Sequence, residues 1–141
     1  MSNRSKAQIL VVDDNPRIRE SSGMLLMFAG YDVATAENGA SALLHLNRAL
    51  PDPIVTDLGM PHMSGVELVS HVRSSHPSVS IAAMSSDYRG PPCQPASLLA
   101  DRFYPKGQNL EHLLATIASL IATTSARRSA HGDRVRPTLD S

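Results

Sequence analysis

The sequence predicts an α/β domain built on a parallel β-sheet, and three observations carry this. Short apolar runs alternate along the chain with longer segments of helical apolar spacing, the pattern of strand–helix–strand units. The run Gln8-Ile9-Leu10-Val11-Val12 lacks the in–out alternation of a sheet with one wet face, so it reads as a strand covered on both sides. Pro, Gly and Asn mark the breaks between runs. Crossovers between parallel strands are right-handed. Helices therefore cover both faces, and every strand's carboxyl end lies on one edge, where open α/β sheets hold their ligands.

Taken in order, residues 8–12 form a first strand that stops at Asp13-Asp14. Asn15-Pro16 opens a helix, because Asn caps and Pro is tolerated in the first turn. Ile18, Leu25 and Phe28 are expected on its inner face, and Gly30 suits its end. Gly23 weakens the helix from within. Residues 31–36 alternate weakly and read as a second strand, nearer an edge. Asn38-Gly39 turns the chain into a helix over about residues 40–49, with Leu43, Leu46 and Leu50 inward and Pro51 and Pro53 beyond its end.

Residues 53–56 have the β-branched, apolar character of a buried third strand ending on Asp57, and Gly59 and Pro61 turn the chain just afterwards. Val66, Leu68, Val69 and Val72 mark a third helix closed by His76-Pro77. Residues 79–84 form a fourth strand that ends at Ser85-Ser86, and residues 102–104 a short fifth before Pro105-Lys106-Gly107. Between them stand Gly90, Pro91, Pro92 and Pro95. Each interior Pro costs a helix about 3 kcal/mol, so the fourth helix is expected to be irregular and shortened to residues 96–100. Leu110, Leu113, Leu114, Ile117, Leu120 and Ile121 have the clearest helical spacing in the chain. From Ser125 onward the chain is polar, Arg-rich and aperiodic. The expected organisation is an N-terminal tail over 1–6, one folded domain over 7–123 and a disordered C-terminal tail over 124–141.

Composition excludes several functions. The chain is 42% hydrophobic but only 4% aromatic, so its core is aliphatic and sufficient for one domain. The 13 basic and 13 acidic residues balance, so bulk charge supplies no surface for a polyanion, and neither a nucleic-acid nor a membrane partner is expected. A single Cys93 excludes an internal disulfide framework, and the short polar start is neither a signal peptide nor a membrane span. A cytoplasmic location is expected. The six His residues have no metal-ligand spacing.

The predicted topology gathers Asp13, Asp14, Asp57, Ser85 and Lys106 at the carboxyl edge of the sheet. Carboxylates about 4 Å apart repel by roughly 4 kcal/mol per pair at an effective dielectric near 20. A divalent cation offsets this, and oxygen-only ligands favour Mg²⁺ over zinc. Mg²⁺ typically uses one or two carboxylates and keeps waters, which leaves room for phosphate oxygens. A carboxylate can also be a nucleophile toward phosphorus. A cation and a nearby ammonium then stabilise the transferring group, and a hydroxyl at Ser85 can donate to it.

These residues resemble the receiver domain of two-component response regulators. The resemblance rests on Val11-Val12-Asp13-Asp14-Asn15, on Asp57-Leu58-Gly59-Met60-Pro61-His62-Met63-Ser64-Gly65-Val66-Glu67-Leu68, on Ala83-Met84-Ser85-Ser86 and on Phe103-Tyr104-Pro105-Lys106, and it covers about residues 7–123. It implies a flavodoxin-like doubly wound sheet of five parallel strands in the order 2-1-3-4-5. It makes Asp57 the phosphoacceptor, converted to 4-aspartylphosphate with Mg²⁺. Asp14 becomes the direct metal ligand, assisted by Asp13, with Asp57 and the carbonyl of Gly59 completing the protein's share. Ser85 and Lys106 take the catalytic hydroxyl and ammonium positions, and Ser85 with Phe103 the switch positions. The implied partners are a histidine kinase or histidine phosphotransfer protein and a downstream protein target. The phosphotransfer is self-catalysed, and no turnover enzyme is expected. With no room after residue 123 for a DNA-binding domain, output is expected through protein contact or by draining phosphate from another regulator.

The chain departs from the family pattern at Ser64, where Asp or Asn usually precedes the Gly, at Gly107, where Pro usually follows the Lys, and in the Pro-rich segment. These departures motivate an alternative, a receiver-like interaction module that is not phosphorylated. A Mg²⁺-dependent phosphohydrolase is a third class, but Leu58, Gly59 and Met60 supply no second acid close behind Asp57. Plainer roles stand beside the sharper ones. Asp13-Asp14 can be a cap and a solvated acid, and Ser85 a turn residue. Phe103, Met24, Met27, Met60, Met63 and Met84 can simply pack. Arg127, Arg128, Arg134 and Arg136 can be a solvated tail.

Overall fold

The computed structural model of the chain describes residues 6–57, 65–85, 100–105 and 110–131. Its elements in order are β1 (Gln8–Val12), α1 (Pro16–Phe28), β2 (Asp32–Ala36), α2 (Gly39–Arg48), β3 (Pro53–Asp57), α3 (Gly65–Ser75), β4 (Ser80–Ser85), β5 (Arg102–Pro105) and α4 (Leu110–His131). The strands form one five-stranded sheet in the order β2-β1-β3-β4-β5, every pair parallel, with β2 at an edge as expected. Val12 pairs with Ala36 on one side and Thr56 on the other, and Asp57 pairs with Met84. The order reverses between β1 and β3, so the residues leaving these two strands flank the topological switch point.

The unbroken apolar run of β1 is explained by its two neighbouring layers. Leu10 and Val12 join Ala42, Leu46, Ile54, Leu68, Val69, Val72 and Ile81 in the core beneath α2 and α3. Ile9 and Val11 join Leu26, Val55, Ala82, Leu113, Ile117 and Leu120 in the core beneath α1 and α4. Local chemistry sets the helix ends. The side chain of Asn15 accepts from the amides of Arg17 and Ile18 at 2.9 and 3.4 Å. At the far end, Gly30 adopts a φ of 102°. Its amide then reaches the Met27 carbonyl at 3.0 Å and that of Tyr31 the Leu26 carbonyl at 3.1 Å. This is the Schellman arrangement, in a backbone region that favours glycine. Asn38 caps α2 through the Ser41 amide at 2.8 Å, so that helix starts at Gly39.

Several packing expectations are corrected. Phe28 and Leu50 do not face the core but are 86% and 41% exposed, and Leu26 and Ala42 are buried in α1 and α2. The cause in α1 is Gly23. It faces the sheet, where a Cβ would stand 3.7 Å from Val33 and 3.8 Å from Thr35. The helix turns its glycine inward and leaves Met24 and Met27 mostly exposed rather than packed. Met84, by contrast, is buried.

The largest correction concerns the C-terminal tail. Residues 125–131 are not a disordered segment but the last turns of α4. What holds them is polar and therefore leaves no apolar period. Thr124 is buried, donates to the Asp52 carbonyl and lies 2.8 Å from the Ser80 hydroxyl, which itself reaches the Leu120 carbonyl at 2.7 Å. Arg127 pairs with Asp101 at 2.5 Å and Arg128 with Asp52 at 2.7 Å. Arg73 of α3 reaches the same Asp101 carboxylate at 2.9 Å, and the Ile81 amide donates to it at 2.8 Å. Burial alone would raise the Asp101 carboxyl. The hydrogen bonds from Arg127, Arg73 and the Ile81 amide outweigh that and hold it below its ordinary value. Arg134, Arg136 and the shortened helix expected over 96–100 lie outside the described residues, apart from Ala100.

Candidate functional site

Because β1 and β3 are adjacent and parallel, the residues that follow Val12 and the residue that closes β3 emerge side by side. Asp13, Asp14 and Asp57 meet there, with a carboxylate oxygen from each lying within 4.8 Å of the others. Asp13 and Asp57 are 0% and 5% exposed, whereas Asp14 is exposed to solvent. Two buried acids and one open to water form an all-oxygen donor set. That chemistry fits a hard divalent cation that keeps part of its water shell, as Mg²⁺ does.

Asp13 is held by groups that are not acids. Its amide donates to the Ala36 carbonyl at 3.1 Å. Its carboxylate accepts the Asn15 amide at 2.9 Å, and its carbonyl accepts Nη1 of Arg19 at 2.7 Å. Asn15 therefore works twice, capping α1 with its side chain and fixing Asp13 with its backbone. Next to Asp57, Thr56 is fully buried and its hydroxyl donates to the Asp57 carbonyl at 3.1 Å.

The other expected site residues divide by position. Ser85 closes β4 opposite Pro105, one step beyond the Met84–Asp57 pair, and Phe103 lies in β5 opposite Ala83. Both backbones thus stand at the acid-bearing end of the sheet. Lys106 and Gly59 lie outside the described residues, as do Ser64 and Gly107. Sequence reasoning missed Arg19 and the second role of Asn15. Both act on or through the backbone, so only their nearness to the acid pair in the chain could have drawn attention to them.

Comparison with known proteins agrees with the geometry. The family model described as "Response regulator receiver domain" matches residues 9–118. The chain belongs to the response regulator receiver domain family. Among its relatives, Response regulator MprA of Mycobacterium sp. (strain KMS) is 35% identical over 119 residues, 84% of this chain and 52% of the relative. The chain thus spans about half the length of that protein. Among solved structures, the response regulator protein TrrA of Thermotoga maritima, in complex with Mg²⁺-BeF, matches with a TM-score of 0.76 and 32% identity, over 81% of this chain and 98% of the other. A structure of histidine kinase ThkA in complex with TrrA matches with a TM-score of 0.74 and 32% identity, over 81% of this chain and 97% of that one. Among the described residues, no helix is long and apolar enough to cross a membrane.

Proposed function

We propose that this chain is a phosphorylation-dependent switch in a two-component phosphorelay, taking a phosphoryl group from phospho-histidine onto Asp57. The observation that carries this is the convergence of Asp13, Asp14 and Asp57 at the switch point of the sheet. These three, with the Gly59 carbonyl, would hold Mg²⁺, and the Mg²⁺-BeF complex of the similar protein TrrA supports that assignment. When bound, the cation supplies charge neutralisation for the transferring phosphoryl oxygens. A carboxylate oxygen of Asp57 attacks phosphorus. The new O–P bond forms as the P–N bond to the donor imidazole breaks, and the imidazole keeps the electron pair. Burial at the end of β3 limits the orientations open to the Asp57 carboxylate, which favours a positioned nucleophile.

Ser85 and Lys106 are assigned to the phosphoryl oxygens, and Ser85 with Phe103 to the switch. The upstream partner is a histidine kinase or a histidine phosphotransfer protein, a class supported by the ThkA–TrrA complex. Downstream stands a protein target. The step is self-catalysed on the chain's own Asp, without turnover, and the place of action is the cytoplasm. Incubation with acetyl phosphate and Mg²⁺, read by intact mass, is expected to add one phosphoryl group, and EDTA or Asp57→Asn is expected to prevent it. Equal labelling of Asp57→Asn contradicts the assignment. A parent that neither acetyl phosphate nor phospho-histidine protein labels points to the unphosphorylated interaction module.

A further inference from the structure

Arg19 sits one turn into α1, and its Nη1 donates to the Asp13 carbonyl at 2.7 Å. The peptide that carries this carbonyl also carries the amide of Asp14. On the preceding peptide, the Asp13 amide is held by Ala36, the last residue of β2. Beyond Ala36 the chain turns away to cap α2 at Asn38, and among the described residues it is the Arg19 side chain that reaches the next peptide. The tilt of that peptide sets the direction in which Asp14 leaves the backbone. Asp14 is the exposed member of the cluster, so burial does not fix it as it fixes Asp13 and Asp57.

We infer that Arg19 is a positioning residue for the divalent-cation site, locking the Asp13–Asp14 peptide so that the Asp14 carboxylate stays within reach of Asp57. This rests on the assignment of the three acids to a cation. It also predicts a sign that charge alone would reverse. A guanidinium near three carboxylates competes with a bound cation, so a purely electrostatic Arg19 would weaken Mg²⁺ binding and its removal would tighten it. A positioning Arg19 strengthens binding despite its charge, and its removal loosens the site.

The test titrates Mg²⁺ alone into ¹⁵N-labelled protein and follows the amide shifts of residues 13, 14 and 57. Arg19→Met keeps the apolar stem and removes both the hydrogen bond and the charge. It is expected to bind Mg²⁺ about tenfold more weakly, as losses of outer-shell partners do. Arg19→Lys, which keeps a donor and the charge, should recover part of that loss. Arg19→Ala, which likewise removes the donor and the charge, gives the same reading if Arg19→Met does not fold. Thermal midpoints in EDTA serve as the control for a merely structural role, since they should move far less than the affinity. A parent that binds Mg²⁺ while Arg19→Met binds it equally well or more tightly overturns this inference alone. A parent that binds no Mg²⁺ overturns the cation assignment together with it.

Discussion

At the amino edge of the sheet, Asp52 and Asp101 each meet an arginine from α4, whereas at the carboxyl edge Asp13, Asp14 and Asp57 meet one another. The residue type is the same and the energetic role is opposite. An aspartate facing a guanidinium joins helix to sheet, and its loss leaves a half-buried charge without that partner. Aspartates facing each other repel, and a bound cation would offset that repulsion. Position relative to strand direction thus separates acids that build the domain from acids that the domain holds in tension.

The strongest way to break this contrast is truncation after Thr124. It removes Arg127 and Arg128 together with the last turns of α4. Both arginines are partly solvated, so the expected loss is about 2–3 kcal/mol, short of that for a fully buried pair. Denaturant unfolding should show it, and an unchanged midpoint would mean that the amino edge contributes nothing.

Asp101→Asn is next, at about 2 kcal/mol, because Arg73, Arg127 and the Ile81 amide all donate to that carboxylate. Its pH dependence is also defined. The folded carboxyl is more acidic than the unfolded one, so the unfolded chain takes up a proton first as pH falls. The stability due to Asp101 is therefore complete above the unfolded value of about 4, and it is lost as pH drops through the lower folded value. Unfolding curves of the parent should weaken more steeply across that acid window than those of Asp101→Asn. Parallel slopes would remove Asp101 from the list of linked groups.

The opposite sign is expected at the other edge. In EDTA, Asp57→Asn should raise stability by about 1 kcal/mol, since it removes a mutual repulsion that solvent at the exposed Asp14 screens well below the value for a dry pair. Mg²⁺ should stabilise the parent more than the variant, by mass action on the folded state. A variant less stable than the parent in EDTA would show that Asp57 contributes to the fold as Asp101 does. The smallest effect belongs to Arg128→Ala. Its bridge to Asp52 is the most exposed of the three, and it should cost under about 1 kcal/mol.

Much of this architecture was legible in the sequence because its causes are local. The apolar runs, the Asn caps and the Gly30 stop specify strands and helix ends within a few residues, and strand ends followed directly by acids reveal Asp13, Asp14 and Asp57. Two kinds of information were not local. The phase of α1 depends on Gly23 lying against Val33 and Thr35 of the next strand, which displaced Phe28 outward. The end of α4 depends on partners 26 and 76 residues away, reached by polar side chains that a search for apolar periods passes over. Arg19 escaped for a third reason: its acceptor is a backbone carbonyl, which has no residue type.

The most direct measurement locates the phosphoryl group itself. Protein incubated with acetyl phosphate and Mg²⁺ is reduced with borohydride, which converts an acyl phosphate on Asp to homoserine, and is then digested and sequenced by mass spectrometry. Homoserine is expected at position 57 alone, with Asp13 and Asp14 intact and no conversion in EDTA. Homoserine at Asp13, Asp14, Asp52 or Asp101, or none anywhere, would contradict the assignment of the carboxyl edge as the phosphoacceptor site.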